Sequence, residues 1–160
     1  MKRLLLLLAI ILLAFITLLN PTKAWEIPAT TESSTLGNGV YGSYYFFDDR
    51  IELKTDLILS DPDLYDWVYA HELGHAFFRD ISFAVYYGKP IYASVFPVCN
   101  SWVTARARDG DIAEDAAETF TYYIMHRDAF ANFIIKNHNS CLAKKYLAVK
   151  KRLEEVVNKK

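Results

Sequence analysis

The run Asp66 to Arg79 contains His71-Glu72-Leu73-Gly74-His75, an HExxH motif. Two histidines four apart project from one face of a helix, one turn from each other. That spacing lets two imidazoles meet one zinc ion at about 2.0–2.1 Å each. Glu72 then sits beside the metal without ligating it, where it can take a proton from a water the metal activates. A chain built on this motif must fold so that a third ligand arrives from elsewhere and a fourth position stays open for water. The structural alternative is a pair of core histidines with Glu72 exposed.

The flanking residues support a helix. Ser60-Asp61-Pro62-Asp63 supplies a cap at Ser60 or Asp61, a proline in the first turn and acids near the positive helix end. Leu64, Trp67, Val68, His71, His75 and Phe78 recur at three- and four-residue steps, which puts both histidines on the inward stripe. Arg79-Asp80 is the expected end. Upstream, Trp25 to Asn38 is polar and reads as an extended or mobile lead-in. Val40 to Phe47 reads as a strand, Asp48-Asp49 as a turn and Arg50 to Lys54 as the returning strand. The result is a hairpin just ahead of the metal helix.

Downstream, Ile81 to Tyr87 fits either a short strand or continued helix, and Gly88-Lys89-Pro90 ends it. Ile91 to Thr104 is apolar, broken at Pro97, and open as to its state. Asp109-Gly110-Asp111 turns into a helix over Ile112 to His126. A further helix starts at Asp128 and runs to Asn137. A last helix starts near Ser140 with Leu142, Tyr146, Val149, Leu153 and Val156 on one face. Its lysine-rich opposite face reads as solvated surface.

Glu114 is the best candidate for the third ligand, 39 residues after His75. Glu114, Glu118, Thr121 and Met125 fall along one line of their helix, flanking the apolar face of Ala113, Ala116, Phe120 and Ile124. Glu118, one turn on, can accept the proton on the other nitrogen of a ligand histidine and so orient its ring. The alternative for Glu114 is a reciprocal partner of an Asp111 cap, since Asp-x-x-Glu has capping-box spacing. Asp115 points away from this line and reads as a solvated acid. His126 and His138 read as structural or exposed histidines.

HExxH followed by Glu-x-x-Ala-Glu-x-Phe on a later helix resembles the gluzincin metallopeptidases. It looks closest to the catalytic domain of anthrax lethal factor and to the small secreted clostridial pro-pro endopeptidases. The similarity covers roughly Tyr41 to Met125. It implies an α+β, zincin-like fold: a small mixed sheet with an edge hairpin packed on the HExxH helix, and a helical C-terminal half. It implies one zinc per chain held by His71, His75 and Glu114, with Glu72 as the base and Glu118 behind the ligands. It also implies a polypeptide substrate lying along the hairpin's edge strand. One position departs. The family commonly carries a tyrosine seven residues before the third ligand, and Ala107 stands there. One extra residue in the Asp109-Gly110-Asp111 turn brings Arg106 into that place, where a guanidinium can stabilise a developing negative charge. The alternative is an ordinary surface arginine.

The compartment follows from the N-terminus. Met1-Lys2-Arg3 is basic, Leu4 to Leu19 is apolar apart from Thr17, and Asn20 to Ala24 ends in small or short residues. This is the pattern of a secretory signal over residues 1–24, cleaved after Ala24, or of an uncleaved anchor with the same outside location. Losing that segment removes Lys2, Arg3 and Lys23 and moves the formal charge from -1 to -4. A mildly acidic exported chain is a poor nucleic-acid binder. Residues 25–160 are enough for one domain. The two cysteines, Cys99 and Cys141, are expected to pair outside the cytoplasm. The expectation is a secreted zinc endopeptidase acting on a protein or peptide, touching a membrane only through an uncleaved N-terminus. The rival is a catalytically weak or inactive extracellular binding domain built on the same shell. The departure at Ala107 argues for the rival, and retention of Glu72 argues against it.

Overall fold

A computed structural model describes residues 26–56, 60–89 and 96–158. The export segment read at 1–24 lies outside them, as do residues 91–95. Pro28–Val149 forms one compact unit, and residues 26–27 and 150–158 belong to a second. The chain is α+β, with a three-stranded sheet followed by a mostly helical half. Among the described residues, no helix is long and apolar enough to cross a membrane.

The sheet contains β1 (Ala29–Ser33), β2 (Gly42–Tyr45) and β3 (Arg50–Lys54), in the order β1-β3-β2. β3 pairs antiparallel with β2, Gly42 opposite Leu53 and Tyr44 opposite Ile51. Its alternation puts Ile51 and Leu53 fully inside. The hairpin turn closes through Asp49, which takes the left-handed conformation at φ 49° and accepts a 2.7 Å bond from the Tyr44 hydroxyl. Of the two readings of the lead-in, extended or mobile, β1 takes the extended one and adds a pairing the sequence did not show. Ala-Thr-Thr-Glu-Ser pairs parallel with β3 from Ala29 opposite Arg50 to Ser33 opposite Lys54. Its side chains are mostly exposed, so the strand forms through backbone pairing and leaves no apolar alternation to read.

Helix α1 (Pro62–Phe77) carries the HExxH motif. Asp61 caps it, accepting from the Leu64 amide at 3.0 Å, and Pro62 opens the first turn. It stops two residues earlier than expected, because Phe78 leaves the helical region (φ -105°, ψ 39°). Helix α2 (Arg79–Tyr86) follows at once, so the ambiguous segment is helical. A short α3 (Ala105–Asp109), too brief to show periodicity, is capped by Thr104. Helix α4 (Ile112–Asn137) starts at an Asp111 cap and joins the two helices expected over 112–126 and 128–137. The anticipated break survives as a kink at His126 (φ -139°, ψ 37°). Helix α5 is Ser140–Val157.

The first half of α4 runs through the middle of the larger unit. Ala113 and all residues from Asp115 to Thr121 are buried there. Phe77 of α1 packs on Phe120 with ring centroids 4.8 Å apart, and Phe78 packs edge-on against Phe96. Two surface expectations need correction. Asp115 and Lys145 are both buried, joined by a 2.6 Å ion pair. The Lys145 ammonium also donates to the carbonyls of Ser101, at 2.6 Å, and Cys99, at 3.5 Å. All three of its protons are thus placed, which is the condition for burying such a charge. Burial lifts the Asp115 carboxyl above its ordinary range, against the pull of that ammonium. Cys99 and Cys141 form the expected disulfide, Cα atoms 5.9 Å apart. Together the bridge and Lys145 pin the loop that leads into Thr104 and α3.

Candidate metal centre

The centre is made where α1 crosses α4. Gly74 lies between the two motif histidines, and Ala117 lies between Glu114 and Glu118. A Cβ added at Gly74 would stand 2.8 Å from the Ala117 Cα and 2.9 Å from its carbonyl oxygen. Only glycine permits this approach, and the approach brings the imidazoles to the carboxylates.

The donor atoms have the spacing of a shared ligand set. His71 Nε2 and His75 Nε2 are 3.1 Å apart. Glu114 Oε2 is 3.3 Å from His71 Nε2, and Glu114 Oε1 is 3.4 Å from His75 Nε2. Tetrahedral donors about 2.0–2.1 Å from one ion stand about 3.3–3.4 Å from each other. His71, His75 and Glu114 are therefore able to hold a metal ion, as the sequence anticipated. Asp111 does cap α4, accepting from the amides of Ala113 and Glu114. The Glu114 carboxylate meets the histidines and the Arg106 Nε–H, which donates to Oε2 at 2.7 Å.

Glu118 stands behind His71. Its Oε1 is 2.7 Å from His71 Nδ1. That contact is out of line for an ideal hydrogen bond, yet among the described residues no better partner reaches Nδ1. Its Oε2 accepts a 2.7 Å bond from the Thr104 hydroxyl. The same hydroxyl accepts from the Ala107 amide and so caps α3. Thr104 was not anticipated; its one signal in the sequence is a threonine three residues before Ala107 at the start of a short polar helix.

These contacts set the charge states of the metal-free cluster. Burial opposes a charged His71, but Glu114, Glu118 and Glu72 outweigh it and push its pKa up to about 9. Burial likewise opposes the Glu114 carboxylate, and the two histidines and Arg106 more than offset it, holding the group well below the usual range. Glu118 is lowered too, burial being outweighed by His71 and Thr104. A metal must displace the proton on His71, so binding releases it.

Glu72 is buried and its carboxyl is raised above the ordinary value, chiefly by that burial, with both histidines pulling the other way. It lines two cavities of about 300 and 310 Å³. One contains His71, Trp67, Val68 and Tyr41; the other contains His75, Glu114, Phe46 and Tyr86. Gly42, Glu72 and Arg106 belong to both. A Cβ at Gly42 would come within 2.6 Å of Val68 Cγ1 and 2.9 Å of Glu72 Cγ, so the edge strand β2 lies directly on the glutamate. Arg106 faces both cavities from α3, its side chain 61% exposed. His126 and His138 take no part. His126 lies against Trp67 and Tyr122, and His138 ends α4 in the left-handed conformation.

Comparison with protein-family models, with curated proteins and with solved structures returned no match for this chain.

Proposed function

We propose that this chain is a zincin-like, zinc-dependent endopeptidase exported from the cell. One observation carries the reading: three donor side chains with ligand atoms within 4.8 Å of one another border a buried carboxylate, Glu72, that is not needed to hold the ion. A purely structural metal site has no use for that fourth group. Two imidazoles and one carboxylate suit zinc among the common divalent ions, and three protein ligands leave a position open.

Zinc bound there supplies the Lewis acidity that polarises a carbonyl and brings water's acidity near pH 7. The chain's own residues do the rest. Glu72 accepts the proton of the attacking water and returns it to the leaving amine. Its buried setting suits both tasks, because a raised carboxyl pKa makes it a better base and a competent acid. Arg106, aimed into both cavities, offsets negative charge that develops on the carbonyl oxygen. Glu118 holds His71 in the tautomer that leaves Nε2 free to ligate. Among the described residues β2 pairs with a strand only on its β3 side, and its other edge offers backbone groups to an extended polypeptide, which would add as a strand. The reading of the N-terminus as an export signal and the disulfide both agree with an extracytoplasmic site of action.

The deciding experiment is cleavage of an unstructured protein such as reduced, alkylated casein by residues 25–160. Activity should disappear on chelation, return with zinc, and be absent in Glu72→Gln that still binds zinc. A protein that binds zinc and cleaves nothing is the inactive binding domain instead.

A further inference from the structure

The cleft is not bounded only by the metal centre. On the His75 side its wall continues into Phe46, Val85 and Tyr86. From there an aromatic cluster spreads outward over the hairpin turn and α2. Phe46 lies 4.2 Å from Phe47 and 5.0 Å from Tyr86, centroid to centroid. Phe47 meets Tyr86 edge-on, and Tyr86 meets Tyr87. Phe47 is 62% exposed and Tyr86 63%. Exposed apolar side chains scattered singly need no explanation, but a contiguous cluster does.

Two features tie this rim to the cleft. Phe46 and Tyr86 line the same 310 Å³ cavity as His75 and Glu114. The rim is also braced: Arg79, two residues past the end of α1, donates to the Phe46 carbonyl and pairs with Asp49 at 3.8 Å. The turn that carries Phe46 and Phe47 is thereby held against the helix that carries the metal ligands. Apart from Glu72, Glu114, Arg106 and Asp111 the side chains that line this cavity are apolar or polar without a carboxylate, ammonium or guanidinium, and the charges nearest the rim, Arg79 with Asp49 and Lys89, lie outside that lining.

Building on the endopeptidase reading, we propose that the Phe46–Tyr86 rim is the selecting subsite of the cleft. It takes a large apolar side chain, aliphatic or aromatic, of a polypeptide laid along β2. The argument is continuity: one cavity wall is shared between the reacting centre and the aromatic cluster. An extended chain paired with β2 sends alternate side chains to one face. The residue that passes His75 therefore meets the rim while its backbone is still held by the strand.

The test is a quenched-fluorescent peptide set with each position near the scissile bond varied among Leu, Phe, Ser, Lys and Asp, cleaved by zinc-loaded 25–160. One position should favour Leu or Phe over Ser by roughly 10- to 100-fold in kcat/KM, the range expected when a whole apolar side chain is buried. Tyr86→Ala should shrink that ratio several-fold at that position alone. Tyr86→Lys should turn the preference toward Asp, a gain that misfolding cannot produce. Phe133→Ala, an exposed aromatic outside both cavities, should leave the ratio as it was. A flat profile, or a preference unmoved by either Tyr86 substitution, overturns the subsite and leaves the endopeptidase reading standing. So does a dimer in solution that Tyr86→Lys converts to monomer, since the rim is then an interface between copies. Absence of cleavage of every peptide overturns both readings together.

Discussion

Gly74→Ala sets two physical rules against each other. In an isolated helix alanine is better than glycine by about 0.5–1 kcal/mol, so propensity alone predicts a more stable protein. At this position the new methyl would stand 2.8 Å from the Cα, 2.9 Å from the oxygen and 3.3 Å from the carbonyl carbon of Ala117. All three are backbone atoms of a buried helix, so no rotamer change relieves the contact. Reaching ordinary van der Waals distance requires α1 and α4 to part by nearly 1 Å at their crossing. Forcing a methyl into a packed site costs about 1–3 kcal/mol, which exceeds the propensity gain. We expect a net loss of about 1–2 kcal/mol, seen as a melting point lower by roughly 3–8 °C for a domain of this size.

The metal centre should suffer more than the fold. Its ligands come from both helices, and metal–ligand distances tolerate only about ±0.2 Å. A shift several times larger pulls Glu114 away from the two histidines, which move with α1. Zinc affinity, measured by competition with a chromogenic chelator, should fall by at least the ~10–100-fold typical of disturbed outer partners. Differential scanning fluorimetry with and without zinc reads both effects. A Gly74→Ala protein that melts higher and binds zinc as tightly would refute the close crossing and the assembly of the centre with it.

Zinc content should separate the two glutamates: Glu114→Ala loses most bound zinc, whereas Glu118→Ala keeps a weakened site, about 10–100-fold poorer. The reverse order would exchange their roles. Thr104→Val removes a bond to Glu118 and should lower zinc affinity, while Thr104→Ser restores it; in a Glu118→Ala background the valine should have no further effect, and an additive loss would mean that Thr104 acts only as a helix cap. Arg106→Ala should lower kcat by roughly 10²–10³ if the guanidinium meets the oxyanion. Because Arg106 also bonds Glu114, its zinc affinity should drop as well, and Arg108→Ala, whose partner is the exposed Asp109, should change neither. The metal-free protein should lose stability as pH rises. His71 titrates near 6.5 unfolded and about 9 folded, so its contribution is full below pH 6.5 and vanishes through pH 9. The loss is on the order of a few kcal/mol, and melting curves of the chelated protein from pH 6 to 9.5 should show it. A flat or rising trend contradicts the His71–glutamate contacts. Zinc-loaded protein should not show the loss, since the metal takes the proton's place.

What could be read from the sequence divides along physical lines. The HExxH helix, its Asp61 cap, the β2–β3 hairpin and the Glu114/Glu118 line were legible because each rests on local periodicity or capping chemistry. β1 was not, since its stability comes from backbone bonds to β3 residues 21 positions on and its side chains carry no alternation. Asp115 and Lys145 were misread as solvated for a related reason. Each looks like an ordinary surface charge on its own helix, and only the packing of α5 against the loop at Cys99 to Ser101 shows that the two charges and three acceptors meet. The join at His126 was half legible: Asp128 looked like a new start, but the backbone bends there without letting go.

The residues that complete the site were hidden by being small. Gly42 lets the edge strand touch Glu72, and Gly74 lets α1 touch α4. Neither has a side chain whose chemistry could announce it, and glycine within a strand or helix signals only that something comes close. Here that something is the Glu72 side chain in one case and the backbone of Ala117 in the other. Thr104 adds a third contact of the same kind, one hydroxyl joining the start of α3 to Glu118 and through it to His71. The loop before it is fixed by a disulfide and a buried ammonium. The orientation of the His71 ring is thus coupled, through Glu118 and Thr104, to the Cys99–Cys141 bridge, a bond that forms in oxidising surroundings.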